Sequence, residues 1–416
     1  VKLGEVRHAE RLGYGKPLGG VRVLSVEQMQ ALPYATQLMA HLGAEVVKIE
    51  PPGTGDAGRL SQPSLRDADG RRVGATYLRN NLSKASVAID LKHPEGRALF
   101  ERLVPRFDVV AENLRPGAMR ALGLGPDAIA RLSPRTISVS ISGFGSGGES
   151  PYASWPSYAP VAEAMGGLYE PSRKQDQPPP VVVAGALGDV GTALFAVIGT
   201  LAALRHRERT GLGQHVDLAM FDAMLAISDM PPHLWSMGAP ERWAASGSLG
   251  VCAGFRARDG HFVVAVFREH QFEKLARAVG HPEWCEDARF NTREGWARHT
   301  ESVIRPALEN WARDKTKLEA ARELCAQGIV AGPSNTAADL AADPHVALRD
   351  MLIEVERADA PRPFLVVGNP VKLSRTAEGP VRRFPSLGQH TDAALREDLG
   401  LSDGEIAALR ARGAIG

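Results

Sequence analysis

The sequence predicts an α/β fold, with a parallel sheet covered by helices on both faces and a smaller α+β domain inserted into it. Three observations predict this. Short runs rich in Val and Ile alternate with helical patterns through the first half of the chain, as in successive βαβ units. After residue 226 the texture changes, and "DMPPHLWSMGAPERWAASGSLG" crowds Pro, Gly, Trp and Met into a linker-like stretch. The 416 residues, 44% of them hydrophobic, suffice for two or three domains that fold without disulfides or metals.

The elements follow in order. "GVRVLSV" (20–26) reads as a strand. "PYATQLMAHLGA" (33–44) reads as a helix with Pro33 at its start and Gly43 near its end, and "EVVKIE" (45–50) as a second strand. "ASVAIDL" (85–91), "FDVVAENL" (107–114) and "TISVSISGF" (136–144) continue the strand series. Between them "PEGRALFERLV" (94–104) and "DAIARLS" (127–133) are helical. "GQHVDLAMFDAMLAIS" is a short strand running into a helix, and "GFRARDGHFVVAVF" (254–267) is a hairpin turning at Asp259-Gly260. Helical patterns then occupy about 271–330. The expected organisation is a large domain over 1–225, a linker over 226–246, a small domain over 247–330, and a return to the large domain over 331–416. Ligands on such sheets sit at the carboxyl ends of the strands.

Composition narrows the function. A formal net charge of +1 argues against a nucleic-acid partner. No apolar run reaches the roughly 20 residues of a membrane helix, and the opening "VKLGEVRHAERLGYGKPLGG" is charged rather than signal-like. Cys252, Cys285 and Cys325 are widely spaced and form no C-x-x-C pair, which suits a reducing compartment. A cytoplasmic protein is expected, with neither nucleic acid nor membrane as partner.

Motifs exclude more than they establish. "GFGSGG" (143–148) satisfies G-x-G-x-x-G, but Pro151 and Pro156 follow where a dinucleotide site needs a helix. The 12 histidines show no metal-ligand spacing, so no metal is expected. One acid stands out. Asp189 opens the apolar run "LGDVGTALFAVIGTLAALRHRERTGLG" among Gly185, Gly188 and Gly191. As a helix cap it complements the dipole, with Arg205, Arg207 and Arg209 at the far end and Gly211 as the stop. The cap leaves the flanking glycines unexplained. Glycine permits close backbone approach to a ligand and exposes N–H groups able to hold an oxyanion. The helix after Asp189 is apolar on most faces and is expected to be buried.

Four segments carry a resemblance: "PLGGVRVLSVEQMQALPYATQLMAHLGAEVVKIEPPGTGD", "NLSKASVAIDLKHPEGRALFERLVPRFDVVAENLRPGAM", "LGDVGTALFAVIGTLAALRHRERTGLGQHVDLAMFDAML" and "LGQHTDAALREDLG". Together they resemble the family III CoA-transferases, a group that includes formyl-CoA:oxalate and carnitine CoA-transferases and, as a branch, α-methylacyl-CoA racemases. The resemblance implies an interlocked homodimer and a Rossmann-like CoA-binding domain built from both chain ends. It also implies a smaller domain that helps close the active site. It implies acyl-CoA and a small carboxylic acid as substrates, coenzyme A among them, with no tightly bound cofactor. Asp189 corresponds to the transferase nucleophile, Gln30 to a glutamine beside it, and Gly188 and Gly191 to active-site glycines. Met29, Ala31, Lys84, Asn113, Leu114, Arg115 and Phe144 correspond to or neighbour CoA-binding positions. Bland alternatives stand beside several: a surface charge for Lys84 and Arg115, a core aromatic for Phe144, a helix-entry polar residue for Gln30.

The chain also departs from the pattern. Racemases pair their aspartate with a histidine, and that position holds Tyr158, whose ordinary pKa of about 10 suits proton exchange near neutrality poorly. This favours transferase over racemase or over a non-catalytic CoA-ester-binding protein. Ala159 stands where both branches usually have an acid, Leu32 replaces a glycine, and Glu269 falls where racemases place a supporting glutamate.

Overall fold

A computed structural model describes all residues of the chain except 68–69, 149, 174–175, 182–184, 229–230 and 239–249. The chain divides into two compact units, one of Val1–Leu168, Val181–Asp229 and His345–Gly416, the other of Tyr169–Pro180 and Met230–Pro344.

The first unit contains β1 (Arg22–Val26), β2 (Glu45–Glu50), β3 (Ser64–Arg66), β4 (Arg72–Gly74), β5 (Ala85–Ala88), β6 (Val109–Glu112), β7 (Ile137–Ser142) and β8 (His215–Ala219). Six of these form one parallel sheet in the order β5-β2-β1-β6-β7-β8, while β3 and β4 make a separate antiparallel ribbon. Its helices before the second unit are α1 (Ala31–His41), α2 (Ala75–Asn80), α3 (Pro94–Leu103), α4 (Ala118–Ala121), α5 (Pro126–Leu132), α6 (Ala159–Met165), α7 (Leu187–Thr210) and α8 (Met220–Ile227). Alternation along the strands feeds two cores. Val23, Val46, Val109 and Val139 face the helices α1, α6, α7 and α8. Leu24, Val47, Val87 and Val110 face the opposite layer with α3 and α5. Both faces are therefore covered, which is why these strands read as nearly continuous apolar runs.

The second unit holds α9 (Pro231–Ser236), β9 (Val251–Ala257), β10 (Gly260–Val266), α10 (Glu269–Ala278), α11 (Arg293–His299), α12 (Arg305–Ala312), α13 (Lys317–Ala326), β11 (Val330–Pro333) and α14 (Ala337–Ala342). Its three strands pair antiparallel in the order β11-β10-β9, and the hairpin turns at Arg258-Asp259, one residue before the expected Asp259-Gly260, because Gly260 already pairs with Ala257 as the first residue of β10. The core is aromatic, with Phe272 and Trp296 stacked at 4.4 Å beside Trp284 and Phe290. Residues 331–344, assigned from the sequence to the returning large domain, cluster with this unit instead. The reason is local: β11 pairs with β10, and Asp339 of α14 forms an ion pair with Lys317 of α13.

The chain then passes α15 (Pro344–Leu348) and a ribbon of β12 (Leu352–Val355) and β13 (Phe364–Val367), and ends in α16 (Thr391–Leu399) and α17 (Asp403–Ala411). Leu395, Ile406, Leu409 and Ile415 enter the second sheet-face core, and Ile415 bridges to Ile89, so both chain ends build the first unit.

Three further expectations are corrected. The helix expected from Pro33 begins two residues earlier, at Ala31, with Gln30 in the cap position. The helix expected to be buried, α7, is buried on one side only. Ala193, Ala196, Val197, Ala203 and Leu204 enter the core, while Leu187, Leu194, Ile198 and Leu201 are exposed. By length and composition α7 is also apolar enough to cross a membrane, contrary to the reading of apolar runs above, although its inner face belongs to the core of the first unit.

Candidate active site

The strand order reverses between β1 and β6. From β1 the chain builds outward through β2 and β5, then crosses back to add β6, β7 and β8 on the other side. At such a switch point the loops leaving neighbouring strands diverge and open a crevice at the carboxyl ends. Here the crevice lies beyond the paired residues Val26 and Glu112. Gln28, Met29, Gln30 and Ala31 line it from one side, and Asn113, Leu114, Arg115 and Pro116 from the other. Trp155, Tyr158, Met220 and Asp189 also line it. Gln30, Met29, Ala31, Asn113, Leu114, Arg115 and Asp189, proposed from distant parts of the sequence, thus meet in one groove.

Backbone conformation at the groove is imposed by buried polar groups. Asn113 clamps the first loop: its Oδ1 accepts the Gln28 N–H at 2.8 Å, and its Nδ2 donates to the Gln28 carbonyl at 3.0 Å. Met29 adopts φ +62°, a left-handed conformation that costs roughly 1–2 kcal/mol for a residue with a Cβ. Its N–H donates to Asp56 Oδ1 at 3.0 Å, and Asp56 in turn is paired with the buried Lys48. Burial alone would raise the Asp56 carboxyl, but the Lys48 ammonium holds it below the ordinary aspartate value.

Lys84 joins this interior network. Its Nζ donates to Glu27 Oε1 at 2.7 Å, the Pro33 carbonyl at 2.8 Å and Asn81 Oδ1 at 3.1 Å. With no side-chain exposure, it is neither the nucleotide-contacting residue nor the solvated surface charge weighed from the sequence. Burial pushes its ammonium down to about 8, with Glu27 pulling the other way. The lysine braces the start of α1 from inside, because a buried charge needs a full set of partners.

Asp189 occupies the first turn of α7 without capping it. The cap position is Ala186, strained at φ +38°, and it makes no side-chain cap bond. The N–H groups of Asp189 and Val190 both donate to the Ala186 carbonyl at 3.0 Å. The missing capping oxygen comes from α6, where Glu163 Oε1 accepts the Gly188 N–H at 2.8 Å. Among the described residues nothing donates a hydrogen bond to the Asp189 carboxylate. Burial raises that carboxyl from 3.8 to about 6, the Glu163 charge adds to the rise, and Arg79 opposes it.

The flanking glycines have a packing explanation. A Cβ on Gly188 would lie 2.7 Å from the Ala159 Cα and 2.8 Å from its carbonyl oxygen, and one on Gly191 would lie 2.5 Å from Ile227 Cδ1. Both let α6 and α8 press against α7. The Gly188 N–H is already taken, so the oxyanion-donor role expected of these glycines does not follow from this geometry.

Among the remaining expected residues, Arg115 is exposed and, among the described residues, makes no ion pair. Gln30 makes no cap bond and lines the groove. Phe144 is buried in an aromatic cluster with Tyr152, Trp155 and Phe221, its ring 6.3 Å from that of Trp155. Trp155, half-exposed, presents that cluster to the groove. Tyr158 is 78% exposed at the same groove, and Leu32 is fully buried. Glu269 lies in the second unit, bound by both oxygens to Arg293 at 2.9 and 3.0 Å. Sequence reasoning missed Glu163, Arg79 and Asp56. Glu163 was legible in one respect, as an acid one helical turn after the departure at Ala159.

Comparison with known proteins assigns the chain to a family. The model of CoA-transferase family III matches residues 18–391. The chain belongs to CoA-transferase family III. The enzyme is 32% identical over 403 residues to the succinyl-CoA–L-malate CoA-transferase β subunit of Chloroflexus aurantiacus, covering 95% of this chain and 97% of that one. It is 35% identical over 397 residues to the succinyl-CoA:mesaconate CoA-transferase of Haloarcula hispanica, covering 93% and 97%. A CAIB/BAIF family protein from Brucella suis superposes with a TM-score of 0.79 at 31% identity, over 92% of this chain and 99% of that one. As a family III CoA-transferase the protein is an enzyme of acyl-CoA metabolism, whose substrates are CoA thioesters.

Proposed function

We propose that this enzyme moves CoA from an acyl-CoA donor to a carboxylic acid through covalent intermediates on Asp189. An Asp189 oxygen attacks the donor's thioester carbonyl; the C–S bond breaks, and the electron pair leaves on the CoA sulfur. The product is a mixed anhydride. The thiolate then attacks the Asp189 Cγ, expels the donor acid as its carboxylate and leaves an enzyme–CoA thioester. The acceptor carboxylate attacks that same carbon, releasing thiolate and forming a second anhydride. Thiolate attack on the acceptor's acyl carbon frees the new thioester and restores the Asp189 carboxylate. Each intermediate retains the activated acyl group, so water must be kept from the groove.

The observation that carries the reading is the Asp189 carboxylate itself. It lines the switch-point groove, is made more basic than usual by burial, and is not engaged by a helix cap. A carboxylate whose pKa approaches the working pH is a better nucleophile than an ordinary one and is still ionised at neutrality. Gln30 would contact the acyl oxygens beside it. Met29, Ala31, Asn113 and Leu114 would shape the coenzyme's channel, and Arg115 would meet its phosphates. The names of the relatives support a succinyl-CoA donor and a short dicarboxylate acceptor.

The active species in this reading is a cytoplasmic, interlocked homodimer. Leu187, Leu194, Ile198 and Leu201 support it, because they form one exposed apolar stripe along α7 at helical spacing.

The test is chemical trapping. Incubation with succinyl-CoA followed by hydroxylamine or borohydride should modify Asp189, as read by peptide mass spectrometry, and Asp189→Ala should neither turn over nor label. Deuterium wash-in at the α-carbon of a 2-methylacyl-CoA, with no modified Asp189, would replace this reading by the racemase one.

A further inference from the structure

Glu163 is only 3% exposed, and its carboxylate therefore depends on protein groups for solvation. One of those groups is the Gly188 N–H, at 2.8 Å from Oε1. That amide is among the donors a helix leaves without internal partners, and Ala186, in the cap position, has no side-chain oxygen to offer it. The cap of α7 is thus supplied from α6, at the residue immediately before Asp189. The two helices touch through backbone there, since a Cβ on Gly188 would meet the Ala159 Cα at 2.7 Å. The Thr192 hydroxyl donates to the Gly188 carbonyl at 2.6 Å, so both polar groups flanking this residue are engaged.

We propose that Glu163 is a positioning residue for CoA transfer: it holds the Gly188 amide, thereby fixing Asp189 at the groove, and its like charge favours conversion of the Asp189 carboxylate into a neutral acyl derivative. The proposal rests on Asp189 being the nucleophile. The charge argument follows from the balance of the first step. An O–C bond forms at Asp189, the donor's C–S bond breaks, and the negative charge departs on sulfur. Repulsion between Glu163 and Asp189 exists only before that step and is relieved by it. The charged groups acting on Asp189 are Glu163 from α6, which adds to the effect of burial, and Arg79 from α2, which opposes it. Arg115, from the loop after β6, lines the same groove.

Glu163→Gln separates charge from geometry, because the amide keeps the volume and an oxygen for the Gly188 N–H. In the full-length protein it should move the acid limb of kcat/KM to lower pH by roughly 0.5–1 unit, the size of a like-charge effect on a neighbouring carboxyl. The acylated Asp189 trapped at a fixed succinyl-CoA concentration should fall several-fold, with KM for the CoA ester little changed. Glu163→Ala should lose roughly ten-fold or more in kcat, since the amide is left without its acceptor. A Glu163→Gln enzyme whose pH profile and trapped fraction superimpose on wild type overturns the proposal, whether or not the alanine variant folds. Wild type that labels at Asp189 beside an unaffected Gln variant overturns this inference alone. Wild type that never labels at Asp189 overturns the nucleophile reading and this inference with it.

Discussion

Asp189→Asn is expected to abolish transfer and, in the same protein, to raise the stability of the fold at pH 8. Burial lifts the Asp189 carboxyl from its ordinary 3.8 to about 6, with Glu163 contributing and Arg79 opposing. The folded chain therefore binds this proton more tightly than the unfolded chain does. Below about 3.8 both states carry the proton, and the group costs nothing. Between about 3.8 and 6 the folded state alone holds it, so stability falls as pH rises; above about 6 the full cost of an ionised, poorly solvated carboxylate is present. At about 1.4 kcal/mol per decade of proton affinity that cost is on the order of 3 kcal/mol, reduced by whatever water enters the groove. Asparagine carries no charge and should recover roughly 1–3 kcal/mol at pH 8. Urea unfolding of both proteins at pH 8, 6 and 4.5 measures it: the gain should be largest at pH 8 and shrink toward pH 4.5. A variant no more stable than wild type at pH 8, or one whose advantage is independent of pH, would refute the claim that Asp189 is held ionised against a desolvation penalty.

Two other substitutions probe the surroundings. Gly188→Ala places a methyl 2.7 Å from the Ala159 Cα and 2.8 Å from its carbonyl oxygen, backbone atoms that cannot swing aside. Overpacking should cost about 1–3 kcal/mol in thermal or urea unfolding and at least roughly ten-fold in kcat, because the turn carrying Asp189 must move. An active, fully stable Gly188→Ala enzyme would contradict the packing account of this glycine. Ile198→Asp, at the 60% exposed centre of the α7 stripe, should halve the mass seen by light scattering. A wild-type enzyme that is already monomeric would show that the stripe is not a self-association surface.

The alternation of Val-rich strands and helices was enough to read the parallel sheet, because residues 23–26, 46–47, 49 and 109–111 are apolar or small on both faces and so leave little room for any other pairing. Asp189 was legible for a different reason, as an acid set among glycines at the head of an apolar run. The interior charges were not legible. Lys48, Glu50 and Lys84 look like ordinary surface residues in a linear sequence, and nothing local says that they are buried. Only the strand order puts Lys48 beside Asp56, and Lys84 beside Glu27, inside the protein. The same limit explains α7. Periodicity identifies its apolar faces but not whether a second chain or the same chain covers each one.

The departure at Ala159 shows how a substitution pattern becomes intelligible once helix geometry is added. Residues 159 and 163 are one turn apart on α6 and share a face. The small residue at 159 is what the Gly188 backbone rests against. With the backbones that close, a glutamate one turn on reaches the Gly188 amide, which a side chain at 159 could not do from beneath the contact itself. The acid absent from position 159 and the acid present at 163 are thus two parts of one arrangement. An alanine grants close approach, and a buried carboxylate then caps the helix that has no capping side chain of its own. The Asp189 carboxylate is left free of the capping role that its place near the helix start would otherwise suggest, and that freedom is what the proposed nucleophile requires.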